Sequence, residues 1–262
     1  MRQYISQKSL DSDGLLTIIG KDFRYLRNVL RLKSGDMIYV RLPEGNLQAM
    51  TVCQVDDKAK KILLQSCHLQ EGEKIGENQP EETQKIQSCH FTLFMALPKS
   101  SKFDLIVRQA TECGVEKIIP VQTDFSQTGS EKINFRSERF ERIIKEARQQ
   151  SGSPVDSQIG NCLSLSQAAQ LWKEETEDLA DSEKLALVLY ERNDSTISIK
   201  EALKSKENLK KIALFCGSEG GLAPSEIKVL QENGFSAVHL KTNILRCETA
   251  ALYGIASIQS LL

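Results

Sequence analysis

Histidine is scarce in this sequence: the 262 residues hold three, His68, His90 and His239. The seven cysteines are an odd number and include no C-x-x-C pair. These absences argue against a structural zinc site and for reduced, cytosolic thiols. No stretch approaches the roughly 18 uninterrupted apolar residues of a membrane span, and Met1–Leu10 lacks the apolar core of a signal peptide. A soluble, cytoplasmic protein with no membrane partner and no metal is the expectation. Also missing are G-x-G-x-x-G, G-K-S or G-K-T, H-E-x-x-H and a nucleophile elbow, so dinucleotide, P-loop, zinc-protease and serine-hydrolase chemistries have no signature. The net charge of -1 gives no global attraction to nucleic acid.

The charge is unevenly spread. Residues 1–70 carry 11 Lys and Arg against 7 Asp and Glu, so a basic module sits inside a neutral chain. This part reads as short strands broken by turn signals (GLLTIIG, GDMIYVRL, LQAMTVCQV, KKILLQSCHL), which predicts a small β-barrel or sandwich. A helix is predicted over Asp22–Leu32, with Phe23, Leu26 and Leu30 on one side and Arg24, Arg27 and Arg31 on another. Such an arginine stripe is either a solvated face lying over apolar neighbours or a face that contacts phosphates, and composition does not separate the two. Residues 71–88 are polar and largely acidic, as a linker between domains is.

From residue 89 onward strands and helices alternate. HFTLFMAL, EKIIPVQ, LALVLYE, KIALFCG and SAVHLK are apolar strands; helices are predicted at 99–114, 137–150, 165–175, 224–232 and 248–262. Apolar strands joined by helices imply a mostly parallel sheet in an α/β domain. Ligands of such sheets bind at the carboxyl ends of strands. Three ends stand out: Leu189-Tyr190-Glu191, Cys216–Gly221 and Leu240–Glu248. Gly217, Gly220 and Gly221 let a flat ligand approach the backbone, while Glu219 places negative charge where a phosphate would lie. That loop suits a neutral or cationic ligand. Arg246, just beyond Ile244-Leu245, is placed to grip an anion or stabilise a developing one. Glu248 and Thr249 open the last helix, where acidic and hydroxyl residues also cap. Cys216 and Cys247 read as small buried hydrophobes, and His239 as a core or strand-edge histidine.

Five stretches in order, FRYLRNVLRLKSGD, PKSSKFDLIVRQATECGVEKIIPV, EARQQSG, CGSEGGLAPSEI and ILRCETAALYG, resemble the blocks of the RsmE-type bacterial 16S rRNA uridine N3-methyltransferases. The resemblance spans nearly the whole chain. It implies a PUA-like β-barrel over 1–70 and, over 89–262, a SPOUT-type domain whose C-terminal segment forms a trefoil knot. It further implies S-adenosylmethionine as methyl donor, 16S rRNA or the small ribosomal subunit as partner, and a homodimer formed through the knotted domain. On this resemblance the donor site comprises Leu189, Tyr190, Glu191, Cys216, Gly217, Ser218, Gly220, Gly221, Leu240, Asn243, Ile244, Leu245, Thr249 and Ala250. The catalytic candidates are Arg246, Glu219 and Glu248, and the RNA contacts Arg24, Arg27, Arg31, Lys99 and Lys102. A carboxylate beside a sulfonium is then no oddity.

The chain departs from the family pattern at Ser218, where Pro is usual, at Lys241, where Gly is usual, and at Asn243, where Arg is common. Arginines usual near Phe125 and Ser153 are missing too. These lost charges motivate an alternative: a SPOUT-fold RNA-binding or ribosome-associated protein, noncatalytic or retargeted. A nucleotide-cofactor enzyme with a degenerate dinucleotide site is a third reading.

Overall fold

The computed structural model describes residues 3–67, 89–127, 129, 133, 137–191 and 196–262, so the linker expected at 71–88 lies outside the described residues. Two compact units form, one of Met1–Gln79 with Gln149–Pro154, the other of Pro80–Arg148 with Val155–Leu262.

The first unit contains β1 (Gln3–Ile5), β2 (Leu15–Ile19), β3 (Met37–Arg41), β4 (Leu47–Asp56) and β5 (Lys61–Ser66) in the order β1-β3-β4-β5-β2. All neighbours are antiparallel except β1 and β3. Alternate residues of these strands (Leu16, Ile18, Val40, Met50, Val52, Ile62, Leu64) are buried against Phe23 and Leu26, as period-2 patterning requires. A register shift between Val52 and Gln54 bulges β4, and bulges sharpen local twist. The three-residue β1 is too short to leave a periodic signal.

The helix predicted over Asp22–Leu32 takes another form. α1 (Gly20–Arg24) is only five residues long and passes into a π-helical turn over Tyr25–Val29. Arg31 then stands at φ 58°, in the left-handed region. Wider π turns displace side chains from the 100° spacing of an α-helix, so the three arginines do not form one stripe. Arg27 is instead held by Asp57, with Nε to Oδ1 at 2.9 Å and Nη2 to Oδ2 at 3.0 Å, and donates through Nη1 to the Leu32 carbonyl.

In the second unit β6 (His90–Ala96), β7 (Lys117–Gln122), β8 (Gln158–Ile159), β9 (Leu163–Ser164), β10 (Lys184–Leu189), β11 (Ile197–Ser198), β12 (Lys211–Cys216) and β13 (Ser236–His239) form one sheet. Its order is β11-β13-β10-β12-β6-β7-β8, with β9 also on β7, and every pairing is parallel. Both faces are covered. Phe91, Leu93, Met95 and Leu214 pack with α2 (Ser100–Glu112), α3 (Ser137–Ser151), α5 (Ile199–Leu203) and α7 (Cys247–Gln259). Phe94, Val121, Val188 and Phe215 pack with α4 (Leu165–Glu175) and α6 (Pro224–Glu232). Burial on both faces is why these strands read as unbroken apolar runs. The predicted strands and helices of this part are present. β8, β9 and β11, of two residues each, had no separable signal.

One glycine sets how closely α7 approaches the sheet. A Cβ on Gly254 would fall 2.9 Å from Leu214 Cδ2 and 3.2 Å from Leu189 Cδ1, so a larger residue would have to displace these leucine side chains for α7 to lie as close to the ends of β10 and β12.

Candidate active site

Because β13, β10 and β12 are adjacent and parallel, their carboxyl ends open side by side. The three sequence stretches singled out above converge there. They line a cleft of about 860 Å³ that runs from Leu189-Tyr190-Glu191 across Cys216–Gly221 to Val238–Cys247 and Ala250, with Lys102 entering from α2.

The glycine loop closes tightly. Gly221 N donates to Ser218 O at 3.0 Å, and Gly221 has φ +73°. A Cβ on Gly217 would fall 2.8 Å from the Gly221 carbonyl carbon, so the two arms of the turn touch backbone to backbone. On the rim opposite, Glu191 points its carboxylate at Gly221, with both oxygens within 3.7 Å of where a Cβ would lie. Ile244 is 87% exposed on the 240–246 segment, an apolar side chain held open toward the cleft.

Below the loop lies a charge cluster. Lys102 Nζ is 3.2 Å from Glu219 Oε1 and 3.5 Å from Glu248 Oε2. Lys99 N, at the start of α2, also donates to Glu219 Oε1 at 3.2 Å. Partial burial works to raise the pKa of Glu219, but hydrogen bonds from its own N–H, from Lys99 N–H and from Lys102 outweigh it and hold the carboxyl below its ordinary value. Glu248 is held low in the same way, by its own N–H, the Cys247 thiol and Lys102, against the burial that opposes them. For Lys102, desolvation is outweighed by the Glu219 bond and the surrounding negative charge, and its ammonium is stabilised. Burial, with the nearby carboxylates and a hydrogen bond to Glu248 Oε2 at 3.3 Å, pushes the Cys247 thiol up to about 12, and burial likewise raises Cys216. Neither thiol is a nucleophile at neutral pH.

The expected residues fall as follows. All the donor-site residues line the cleft except Thr249, which is exposed on α7. Helical phase explains the exception: Cys247 and Ala250, three apart, share the inward face, and Thr249 is turned off it. Arg246 is exposed in the cleft at the N-cap of α7. Glu219 lines the cleft; Glu248 stands behind it, touching Lys102 and Cys247. Lys102 lies between two carboxylates, an environment no sequence spacing announced. Lys99 is exposed beside it. His239 also lines the cleft, with Nδ1 2.9 Å from Thr196 Oγ1. Val238, Lys241 and Thr242 also line the cleft without having been assigned to the donor site; Lys241 and Thr242 belong to the marked end Leu240–Glu248, and Val238 to the strand that precedes it.

Residues 85–259 match the family described as RNA methyltransferase domain. The chain belongs to that family. The RNA methyltransferase match encloses every segment of the cleft. Relatives resemble the chain over nearly its full length. Ribosomal RNA small subunit methyltransferase E of Synechocystis is 30% identical over 95% of this chain and 74% of its own. Ribosomal RNA small subunit methyltransferase E 2 of Borreliella burgdorferi is 27% identical over 100% of this chain and 98% of its own. In fold, the chain is similar to the crystal structure of Ribosomal RNA small subunit methyltransferase E from Neisseria gonorrhoeae bound to S-adenosyl methionine, with a TM-score of 0.77, 22% identity, and 100% and 98% of the two chains covered. The parallel sheet of the second unit carries its cleft at the carboxyl ends of β10, β12 and β13.

Proposed function

We propose that this protein is an S-adenosylmethionine-dependent methyltransferase that modifies N3 of a uridine in small-subunit rRNA. The observation that carries the reading is that the matched RNA methyltransferase segment contains the whole cleft, from Lys102 to Ala250.

The residues present suit this donor. The cleft combines glycine backbone, the apolar Leu189, Leu240, Ile244 and Leu245, and the carboxylates Glu191 and Glu219. Backbone groups and apolar side chains hold a flat purine, and carboxylates tolerate a cation. A phosphate-bearing cofactor would meet the same carboxylates with repulsion. Bound there, S-adenosylmethionine supplies an electrophilic methyl group on its sulfonium.

The chain's own groups then divide the remaining tasks. Uracil N3 must lose its proton before its lone pair can accept a methyl group, and Glu219, a carboxylate lining the cleft, is assigned as the acceptor. Glu248, one step behind, shares Lys102 and holds the cluster in place. Arg246 faces the cleft with its guanidinium available to orient the base and neutralise the charge that N3–H loss creates. Lys99, Arg24 and Arg31 are assigned to RNA phosphate, and Arg27 to fixing the turn that carries Asp57.

The same reading extends to architecture and setting. Residues 1–70 form a PUA-like barrel that binds RNA, 71–88 a linker, and 89–262 a SPOUT domain whose C-terminal segment, carrying 240–246, is threaded as a trefoil knot. The domain pairs with a second copy, and the protein works in the cytoplasm. In support, β13 inserts between β10 and β11 although both precede it in the chain, which draws the C-terminal segment across earlier ones.

Mass spectrometry of 16S rRNA from cells with and without the gene tests the reading: loss of one 3-methyluridine is expected. An unchanged methylation pattern, with no S-adenosylmethionine binding by calorimetry, would overturn it.

A further inference from the structure

Phe125 is 43% exposed, although a phenylalanine at the end of a buried strand has apolar surface within reach. Its loop, which follows β7, is held at four points. Asp124 N donates to Glu226 Oε1 at 2.9 Å, and Glu226 is itself buried and receives Ala223 N on its other oxygen at 2.8 Å. Ser218 Oγ donates to Phe125 O at 2.7 Å. Thr123 N donates to Ser126 Oγ at 2.9 Å, and Gln127 N to Leu97 O at 2.9 Å. The backbone is thus fixed while the ring faces solvent. Phe125 also adjoins the cleft: a Cβ on Gly220, a lining residue, would fall 2.7 Å from Phe125 Cβ and 3.2 Å from its Cγ. Glycine at 220 makes room for the aromatic residue as well as for a ligand.

A partly exposed aromatic side chain on a pinned backbone, beside a cleft read as acting on RNA, suits one use. Nucleobases stack on such rings whatever their sequence, and a held backbone leaves only the side-chain torsions to be ordered when they do. We propose that Phe125 is a stacking platform for an unpaired nucleobase of the RNA substrate, holding the strand at the cleft mouth; this rests on the RNA methyltransferase reading above. It supplies position without charge.

The test uses full-length wild-type, Phe125→Leu, Phe125→Tyr and Phe125→Trp proteins and unmethylated small ribosomal subunits from cells lacking the gene. Leucine keeps apolar bulk against Gly220 and removes the π face. Phe125→Leu is expected to weaken subunit binding and raise KM about tenfold, with the salt slope, donor affinity and melting temperature unchanged. Phe125→Tyr and Phe125→Trp should bind as wild type does, and the added tryptophan should be quenched by subunits but not by donor. Wild-type binding by Phe125→Leu overturns the proposal, as does equal loss in all three variants or a parallel loss of donor affinity and stability. Failure of the wild type itself to bind or methylate subunits would instead overturn the underlying reading, and the proposal with it.

Discussion

Ser218 Oγ donates a 2.7 Å hydrogen bond to the carbonyl of Phe125, joining the glycine loop after β12 to the loop after β7. Ser218 is the position where the RsmE-type pattern has proline. Proline would stiffen the loop from within by fixing φ; serine ties it to a neighbour instead.

Removing that tie should be felt modestly and locally. Ser218→Ala is expected to cost about 1 kcal/mol of stability, and to raise hydrogen exchange in 123–127 and 217–221 while distant strands keep their protection. Denaturant unfolding with exchange mass spectrometry measures both.

Gly217 allows no substitute. Its added Cβ would meet Gly221 backbone rather than a side chain that could swing away. Gly217→Ala should therefore distort the turn, at a cost above about 1 kcal/mol, and lower S-adenosylmethionine affinity at least fivefold or so. Calorimetry reads the affinity; Gly45→Ala, at φ +88° in a turn far from the cleft in sequence, should cost stability through backbone strain while leaving the donor affinity unchanged, and so separates the two effects.

The Lys102 cluster makes an acid-range prediction. Glu219 and Glu248 have folded pKa values below the ordinary 4.5, so their ion pairs stabilise the fold above that value and the contribution is lost as pH falls through the depressed values. Lys102→Met should melt lower than wild type from neutral pH down to 4.5, and the gap should close in stronger acid. A gap independent of pH would mean that Lys102 acts through packing alone.

Arg246 caps α7 only through its backbone, so its side chain is free for the substrate. Arg246→Ala is expected to leave donor binding nearly intact and to lower kcat roughly 100-fold or more. Single-turnover kinetics with donor at saturation separates the two effects.

The three arginines once placed on one stripe should behave differently from one another. Arg24→Ala and Arg31→Ala, at exposed positions, should each reduce the slope of log affinity against log salt for subunits by about 1. Arg27→Ala should change that slope less, because its guanidinium already satisfies Asp57.

By itself the sequence determined the parallel α/β sheet, the strand ends that carry the site and the character of the glycine loop. These are local or periodic properties: apolar runs buried on both faces, punctuation by glycine, and a carboxylate where phosphate cannot go. Tertiary structure alone decided that β13 lies beside β10, which brings 240–246 against the loop after β12. It also decided that Lys102 lies between Glu219 and Glu248, residues 117 and 146 positions further along the chain. A lysine's ion partners are set by what the fold places within a few ångströms, and no helical or strand period encodes contacts at such separations. The arginine stripe failed for the converse reason. Its 3.6-residue spacing was legible, but burying Leu26 in a π turn and placing Arg31 in the left-handed region changed the period that the reading assumed.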